Sequence, residues 1–107
     1  MLITRTVQND LTILHVCLQR LDGSNANSVR LAAADYVAEA PGRVVLDLSD
    51  VNFVDSSGLG SLVALHKTMR DGRKLEIAGA ANSVLSLFKL TRMDRVFVMH
   101  PSIEQVN

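Results

Sequence analysis

The sequence predicts an α/β fold, in which a mixed sheet of four or five strands carries helices packed on one face. Three observations predict this class. The chain begins with two β-rich runs, at residues 2–7 and 11–18. A continuous apolar run at residues 43–49 is typical of a strand that is buried on both faces and lies centrally in its sheet. Beyond that run, strand-like and helix-like segments alternate, which requires helices layered on a sheet.

The first two elements are predicted to form a β-hairpin, since Gln8, Asn9 and Asp10 between them are typical turn residues. An amphipathic helix follows from Ser24 to Ala40, and Pro41 ends it. The positions expected to face inward in this helix are Ala26, Val29, Ala33, Val37 and Ala40.

The second half of the chain continues the alternation. A second helix is predicted from about Ser57 to the turn at Asp71, then a strand at 74–80, a third helix at 83–90 and a strand at 95–99. Residues 101–106 could form a last helical turn. The inward positions expected are Leu59, Leu62, Val63, His66 and Met69 in the second helix, and Val84, Leu87 and Phe88 in the third.

Length and composition limit the class of protein. With 107 residues, 48% of them hydrophobic, the chain is expected to be one domain spanning residues 1–107. Eleven basic and eleven acidic residues cancel, so direct binding to nucleic acid is not expected. The single cysteine, Cys17, can close no intramolecular disulfide. There is no signal-like segment or run of eighteen apolar residues, so we expect a cytoplasmic protein without membrane insertion.

The most informative stretch is 47–60, where the buried strand leads through a short loop to two serines and two glycines at a helix start. A serine in this position can cap a helix, and Gly58 lets the backbone approach a neighbour closely. On these residues alone, Ser56 and Ser57 could be no more than helix caps.

Four stretches together resemble the STAS domain family, in particular its anti-sigma-factor antagonist branch. They are LQRLDGSNA at 18–26, VVLDLSDVNFVDSSGLGSL at 44–62, GRKLEIAGA at 72–80 and VLSLFKLTRMDRVFVM at 84–99. The resemblance implies that Ser56 accepts a phosphate, with Ser57 the less favoured acceptor. Arg92 stands where the family often has glycine, so a left-handed backbone is expected there. The partner-binding residues implied are Asp22, Asp55, Ser56, Ser57, Gly58, Leu59 and Gly60.

The resemblance also implies a signalling circuit. The unphosphorylated form would bind an anti-sigma factor, which is often itself a serine kinase, and so release a sigma factor. Phosphorylation would inactivate the chain, and a serine phosphatase would restore it. No cofactor is expected in the chain itself, and a monomer is expected. A diguanylate cyclase or another output protein remains open as a further partner.

An enzymatic function is not expected, because DSSGLG matches neither a Gly-x-Ser-x-Gly nucleophile elbow nor a phosphate-binding loop with its lysine. His15, His66 and His100 lack the close spacing of metal ligands, so no metal site is predicted. Asp47 and Asp50 are expected to fix the turn after the central strand. The alternative function is a non-switching STAS scaffold in a lipid-transport or sensor complex, although the intact Asp-Ser-Ser-Gly motif favours the switch.

Overall fold

The computed structural model describes residues 2–106, and within them one five-stranded mixed sheet carries three α-helices. The strands are β1 (Ile3–Gln8), β2 (Leu11–Val16), β3 (Arg20–Leu21), β4 (Arg43–Asp47), β5 (Phe53–Val54), β6 (Glu76–Ala78) and β7 (Val98–His100). The helices are α1 (Ala26–Glu39), α2 (Ser56–Lys67) and α3 (Asn82–Leu90). The order in the sheet is β1-β2-β4-β6-β7, and β3 pairs separately with β5. The predicted α/β class is confirmed.

The N-terminal hairpin is confirmed, with β1 and β2 antiparallel and Gln8 opposite Leu11. This register leaves a turn of two residues, Asn9 and Asp10. Asn9 has a φ of 57°, a left-handed conformation that asparagine tolerates better than most residues. Two of the three predicted turn residues, Asn9 and Asp10, therefore form the turn, and Gln8 ends β1.

The apolar run at 43–49 forms the centre of the sheet. β4 pairs in parallel with β2 on one side and with β6 on the other. Val44, Val45 and Leu46 are all essentially inaccessible to solvent, as expected for a strand covered on both faces.

All three helices pack on one face of this sheet. Leu14, Leu46 and Ile77 lie side by side on β2, β4 and β6 and belong to the same buried cluster as residues of each helix. Helix residues in that cluster include Val29, Ala33, Val37, Leu59, Leu62, Leu65, Val84 and Phe88. The predicted one-sided packing is confirmed.

Helix bounds differ from the predictions at both ends. α1 begins at Ala26 rather than Ser24, because the carbonyl of Asp22 accepts the amides of Asn25 and Ala26 in a turn that precedes the helix. α2 ends at Lys67, so the predicted inward residue Met69 lies beyond it. Of its other predicted inward residues, Leu59 and Leu62 are buried while Val63 and His66 are half-buried.

The C-terminal part departs most from the prediction. Arg92 has a φ of 61°, the left-handed backbone expected there, and a 3₁₀ turn follows at Met93–Arg95. The last strand therefore begins at Val98 instead of residue 95. In α3, Val84 and Phe88 are buried and Leu87 is half-buried, and a second 3₁₀ turn covers Ile103–Gln105. Nowhere in residues 2–106 is a helix long and apolar enough to cross a membrane.

Candidate functional site

The residues singled out from the sequence meet at one edge of the sheet. β2 and β4 are parallel, so the segments that leave their carboxyl ends, 17–25 and 48–55, lie at the same edge, where sites in open α/β sheets usually form. The two segments pair through β3 and β5, with Arg20 opposite Phe53 and Leu21 opposite Val54. This pairing brings the segment that carries Asp22 against the start of α2.

Asp55 fixes the start of α2. The Gly58 amide donates to its Oδ1 at 2.9 Å, so Asp55 is the N-cap of the helix. The Gly23 amide donates to the other carboxylate oxygen at 3.2 Å, and the amide of Asp55 itself donates to the carbonyl of Leu21. The interpretation of Ser56 or Ser57 as the helix cap is wrong, because Asp55 occupies that position.

Asp22 organises the turn before α1. The Ser24 hydroxyl and amide both donate to its Oδ1, at 2.6 and 3.0 Å, and Arg20 Nε lies 3.3 Å from Oδ2. These contacts, the Ser24 hydroxyl foremost, hold the pKa of the Asp22 carboxyl below its usual value. Asp22 is therefore an anion whose hydrogen bonds are to residues of its own loop.

Gly58 is required by the close approach of α2 to β3. A Cβ at this position would lie 2.2 Å from the carbonyl oxygen of Leu21, far inside contact distance. At Gly60, by contrast, a Cβ would meet nothing within 4 Å. Only the first of the two glycines in the motif is needed for packing.

The predicted partner-binding residues divide by exposure. Ser56, Ser57 and Gly60 are exposed, and Asp22 and Asp55 are half-buried. Gly58 and Leu59 are buried, Leu59 as part of the core beneath the helix. A shallow groove between α1 and α2 begins beside this exposed surface. Its lining comprises Gly23, Ala26, Asn27, Arg30, Ser57, Gly60, Ser61 and Ala64.

Ser56 occupies the first position of a twelve-residue helix. Within residues 2–106, no side chain makes a hydrogen bond to its hydroxyl, which is open to solvent. Backbone amides at the start of a helix and the helix dipole favour a negative group there. Ser56 thus lies on the surface, at a helix start whose dipole favours a negative group.

Two features of this edge were missed from the sequence. The Arg20 guanidinium lies 4.2 Å from the ring centroid of Phe53, which is 39% exposed whereas Phe88 and Phe97 are in the core. His15 Nδ1 lies 3.0 Å from Asp47 Oδ2, and its Nε2 lies 2.8 Å from Asp50 Oδ2. Each pair joins residues more than thirty positions apart, so local sequence patterns carry no signal for it.

Of the two carboxylates expected to fix the turn after the central strand, Asp47 at the end of β4 does so, since its Oδ1 accepts the Ser49 amide at 3.0 Å. Asp50 instead contacts His15. The histidines lie on separate elements. His100 Nε2 lies 2.7 Å from Glu76 Oε1, and the His66 ring accepts the Leu75 amide. Among residues 2–106, no group of three His, Cys, Asp or Glu side chains is arranged to hold a metal ion.

Solved structures share this fold over nearly the whole chain. An anti-sigma factor antagonist from Mycobacterium paratuberculosis is 22% identical, with a TM-score of 0.85 over 95% of this chain and 86% of that one. The anti-sigma factor antagonist SpoIIAA in its unphosphorylated form is 13% identical, with a TM-score of 0.75 over 96% and 90%. A sulfate transporter family protein from Wolinella succinogenes is 14% identical, with a TM-score of 0.76 over 92% and 83%.

At these identities, the structural likeness establishes the fold. Membership of the family follows from the sequence, because the family model described as the STAS domain matches residues 3–106. That match includes β1 to β7 and every residue of the site at the start of α2. The chain belongs to the STAS domain family.

Proposed function

We propose that this chain is an anti-sigma-factor antagonist that binds an anti-sigma factor or serine kinase and is inactivated by phosphorylation of Ser56. The observation that carries the proposal is the exposure of Ser56 at the first position of α2, on a helix start held by Asp55 and by the close packing of Gly58. An exposed hydroxyl of this kind can be modified without disturbing the core.

The charge of a phosphate explains how binding would be switched. It adds nearly two negative charges and three acceptor oxygens. Within the chain, the helix start can tolerate this anion, although Asp55 already uses the Gly58 amide and adds a negative charge of its own. Against a partner packed on the same surface, the phosphate would be desolvated next to Asp55, at a cost of several kcal/mol. Binding can then be lost while the fold persists.

The remaining members of the circuit follow from this mechanism. A serine phosphatase restores the binding-competent form, and released sigma factor is the output. We place the circuit in the cytoplasm and treat a diguanylate cyclase as a further partner that the same surface could serve. The chain acts in this scheme as a binding protein, and ATP and metal ions belong to its partners.

Substitutions of Ser56 test the switch. A kinase-like protein recovered by affinity purification on the wild-type chain is titrated by calorimetry with wild type, Ser56→Ala, Ser56→Asp and the phosphorylated protein. We expect wild type and Ser56→Ala to bind equally, Ser56→Asp more weakly because it carries about one charge, and the phosphorylated form weakest. Ser57→Ala is the matched control for the acceptor and should retain phosphorylation at Ser56.

A second candidate function is a non-switching scaffold within a transport or sensor complex. The shared fold with a sulfate transporter family protein keeps this candidate open. A scaffold does not need a hydroxyl at Ser56, so under this alternative all four Ser56 forms would bind their partner equally. Absence of phosphate on Ser56 by mass spectrometry, in cells that contain the candidate kinase, would also favour the scaffold.

A further inference from the structure

His15 lies on the sheet face opposite the helices, with both ring nitrogens directed at carboxylates. Nδ1 is 3.0 Å from Asp47 Oδ2 and Nε2 is 2.8 Å from Asp50 Oδ2. A neutral imidazole has one N–H donor and one lone pair, whereas an ionised carboxylate can only accept. Two such contacts at hydrogen-bond distance are therefore satisfied only when the ring carries both protons.

The groups around His15 agree with a charged ring. On the neighbouring strands, β1 places Thr4 opposite it and β4 places Asp47 opposite it. The Cys17 thiol donates to the backbone carbonyl of His15 at 3.6 Å. Farther along the same row of the sheet come Ala78 and His100.

His100 is paired with Glu76, whose carboxylate is also bound by Arg43. In the part of the chain that the structure describes, the charged side chains in direct contact with His15 are thus two carboxylates and no cation. The hydrogen bond to Asp47, then that to Asp50, raises the pKa of His15 above 6.5, against a smaller opposing effect of burial.

The two carboxylates belong to the connection that leads to Ser56. Asp47 ends β4, and Asp50 lies in the turn that follows. Beyond this turn the amide of Asn52 donates to the carbonyl of Gln19, which begins the pairing that ends at Asp55. His15, on β2, consequently bridges the beginning of the same connection whose far end is fixed by the cap of α2.

We propose that His15 is a positioning residue, whose doubly hydrogen-bonded imidazolium holds the connection between β4 and α2 against the sheet and makes its order dependent on pH. Deprotonation removes one donor, so one carboxylate is left facing a ring lone pair. Asp50 is the partner that is released, because Asp47 is retained by the Ser49 amide and is the less exposed of the two, at 14% against 60%.

The direction of the pH effect follows from the raised pKa of His15. The contribution of the ion pairs to stability is fully present below the unfolded value, near 6.5, and is lost as pH rises through the folded value. The carboxyl group of Asp47, in contrast, titrates at acidic pH. Burial opposes its ionisation, but hydrogen bonds from His15 and from Ser49 outweigh burial and keep the pKa of Asp47 below its usual value.

The experiment is an NMR titration of the isolated chain, which requires no binding partner and is independent of the proposed phosphoswitch. The ¹⁵N shifts of His15 should report a ring protonated on both nitrogens at pH 6.5, with a midpoint above that value. Asp50→Asn should lower this midpoint. Asp35→Asn, which removes an exposed carboxylate on α1, is the charge-matched control and should leave it unchanged.

Hydrogen exchange tests the positioning role separately. After correction for intrinsic exchange rates, protection of the Asn52 amide in the wild type should fall as pH rises through the measured His15 midpoint. Protection of the Leu59 amide in α2 should stay constant. In His15→Gln, the pH-dependent part of the change in Asn52 protection should disappear. If His15→Gln folds less well than the wild type, Asp50→Asn provides the same test.

A neutral His15 ring at pH 6.5, or a midpoint that Asp50→Asn does not move, would overturn the charged pairing. A His15 midpoint that behaves as expected, while Asn52 protection is the same below and above that midpoint, would overturn the positioning role. Neither result bears on whether Ser56 is phosphorylated, so this inference and the proposed function fail separately.

Discussion

The starts of α1 and α2 lie side by side at the same edge of the sheet, yet they are held in different ways. At α2, the Asp55 carboxylate binds an amide of its own helix, Gly58, and an amide of the other segment, Gly23. At α1, Asn25 makes no side-chain capping bond into its helix. Instead, the side-chain Oδ1 of Asn25 accepts from the backbone amide of Asp22, and its Nδ2 donates to the backbone carbonyl of Arg20.

The two helix starts therefore differ in how far apart along the chain the residues that hold them are. Asn25 closes its own loop, so its contacts are local in sequence. Asp55 joins two segments that are 32 residues apart, so the position of Ser56 depends on both. A helix start held from two directions can present a hydroxyl in one defined geometry, whereas one held by its own loop can shift with that loop.

The largest effect is expected from Gly58→Ala. The added Cβ would meet the Leu21 carbonyl at 2.2 Å, and backbone rather than a flexible side chain would have to move. We expect a loss of about 3 kcal/mol in the free energy of unfolding, measured by urea denaturation. Gly60→Ala is the matched control, since its Cβ has open space and alanine favours a helix by about 0.5–1 kcal/mol. Equal destabilisation by both would show that close packing does not explain Gly58.

An intermediate effect is expected from Asp55→Ala, which removes the cap and the bond to Gly23. The expected loss is about 2 kcal/mol, against about 1 kcal/mol for Asn25→Ala. Chemical shifts should separate the two variants more clearly. Asp55→Ala should perturb the amides of both Gly23 and Gly58, whereas Asn25→Ala should perturb only its own loop. If the two variants perturb the same amides, the contrast between the helix starts is wrong.

The smallest effect is expected from Ser56→Ala. Because Asp55 is the cap and the Ser56 hydroxyl is exposed, its removal should change the free energy of unfolding by no more than about 0.5 kcal/mol. Thermal denaturation of the same samples used for calorimetry measures this. A loss above about 1 kcal/mol would assign the hydroxyl a structural role and would complicate the use of this variant as a test of switching.

Most of the fold could be predicted because its signals are local. The hairpin follows from Gln8, Asn9 and Asp10, the central strand from its continuous apolar run, and α1 from its inward residues. Errors occur at the ends of elements, where the hydrogen bonds of a turn take the place of the predicted strand. Residues 95–97 satisfy β-propensity, but the carbonyls of Arg92 and Met93 take up their amides, so the strand begins only at Val98.

The site could be predicted only as a set of residues. The motif places Ser56 at a helix start, which is confirmed, but it does not distinguish the residue that caps the helix from those that follow it. Pairs such as Asp55 with Gly23 and His15 with Asp50 depend on which strands become neighbours. Residue types alone do not encode that arrangement, because a short polar side chain can form its hydrogen bonds either with nearby backbone groups or with a residue on another strand.

The surface around Ser56 is a discontinuous epitope. Its shape depends on the contact between Asp55 and Gly23 and on the pairing of β3 with β5, neither of which exists in a short peptide that carries only residues 53–60. It is also absent from a nascent chain until residues 20–23 and 53–58 have both been made and have folded together. A partner that recognised this shape would therefore distinguish the folded domain from an unfolded chain of the same sequence, and would act only on molecules in which both segments have folded together.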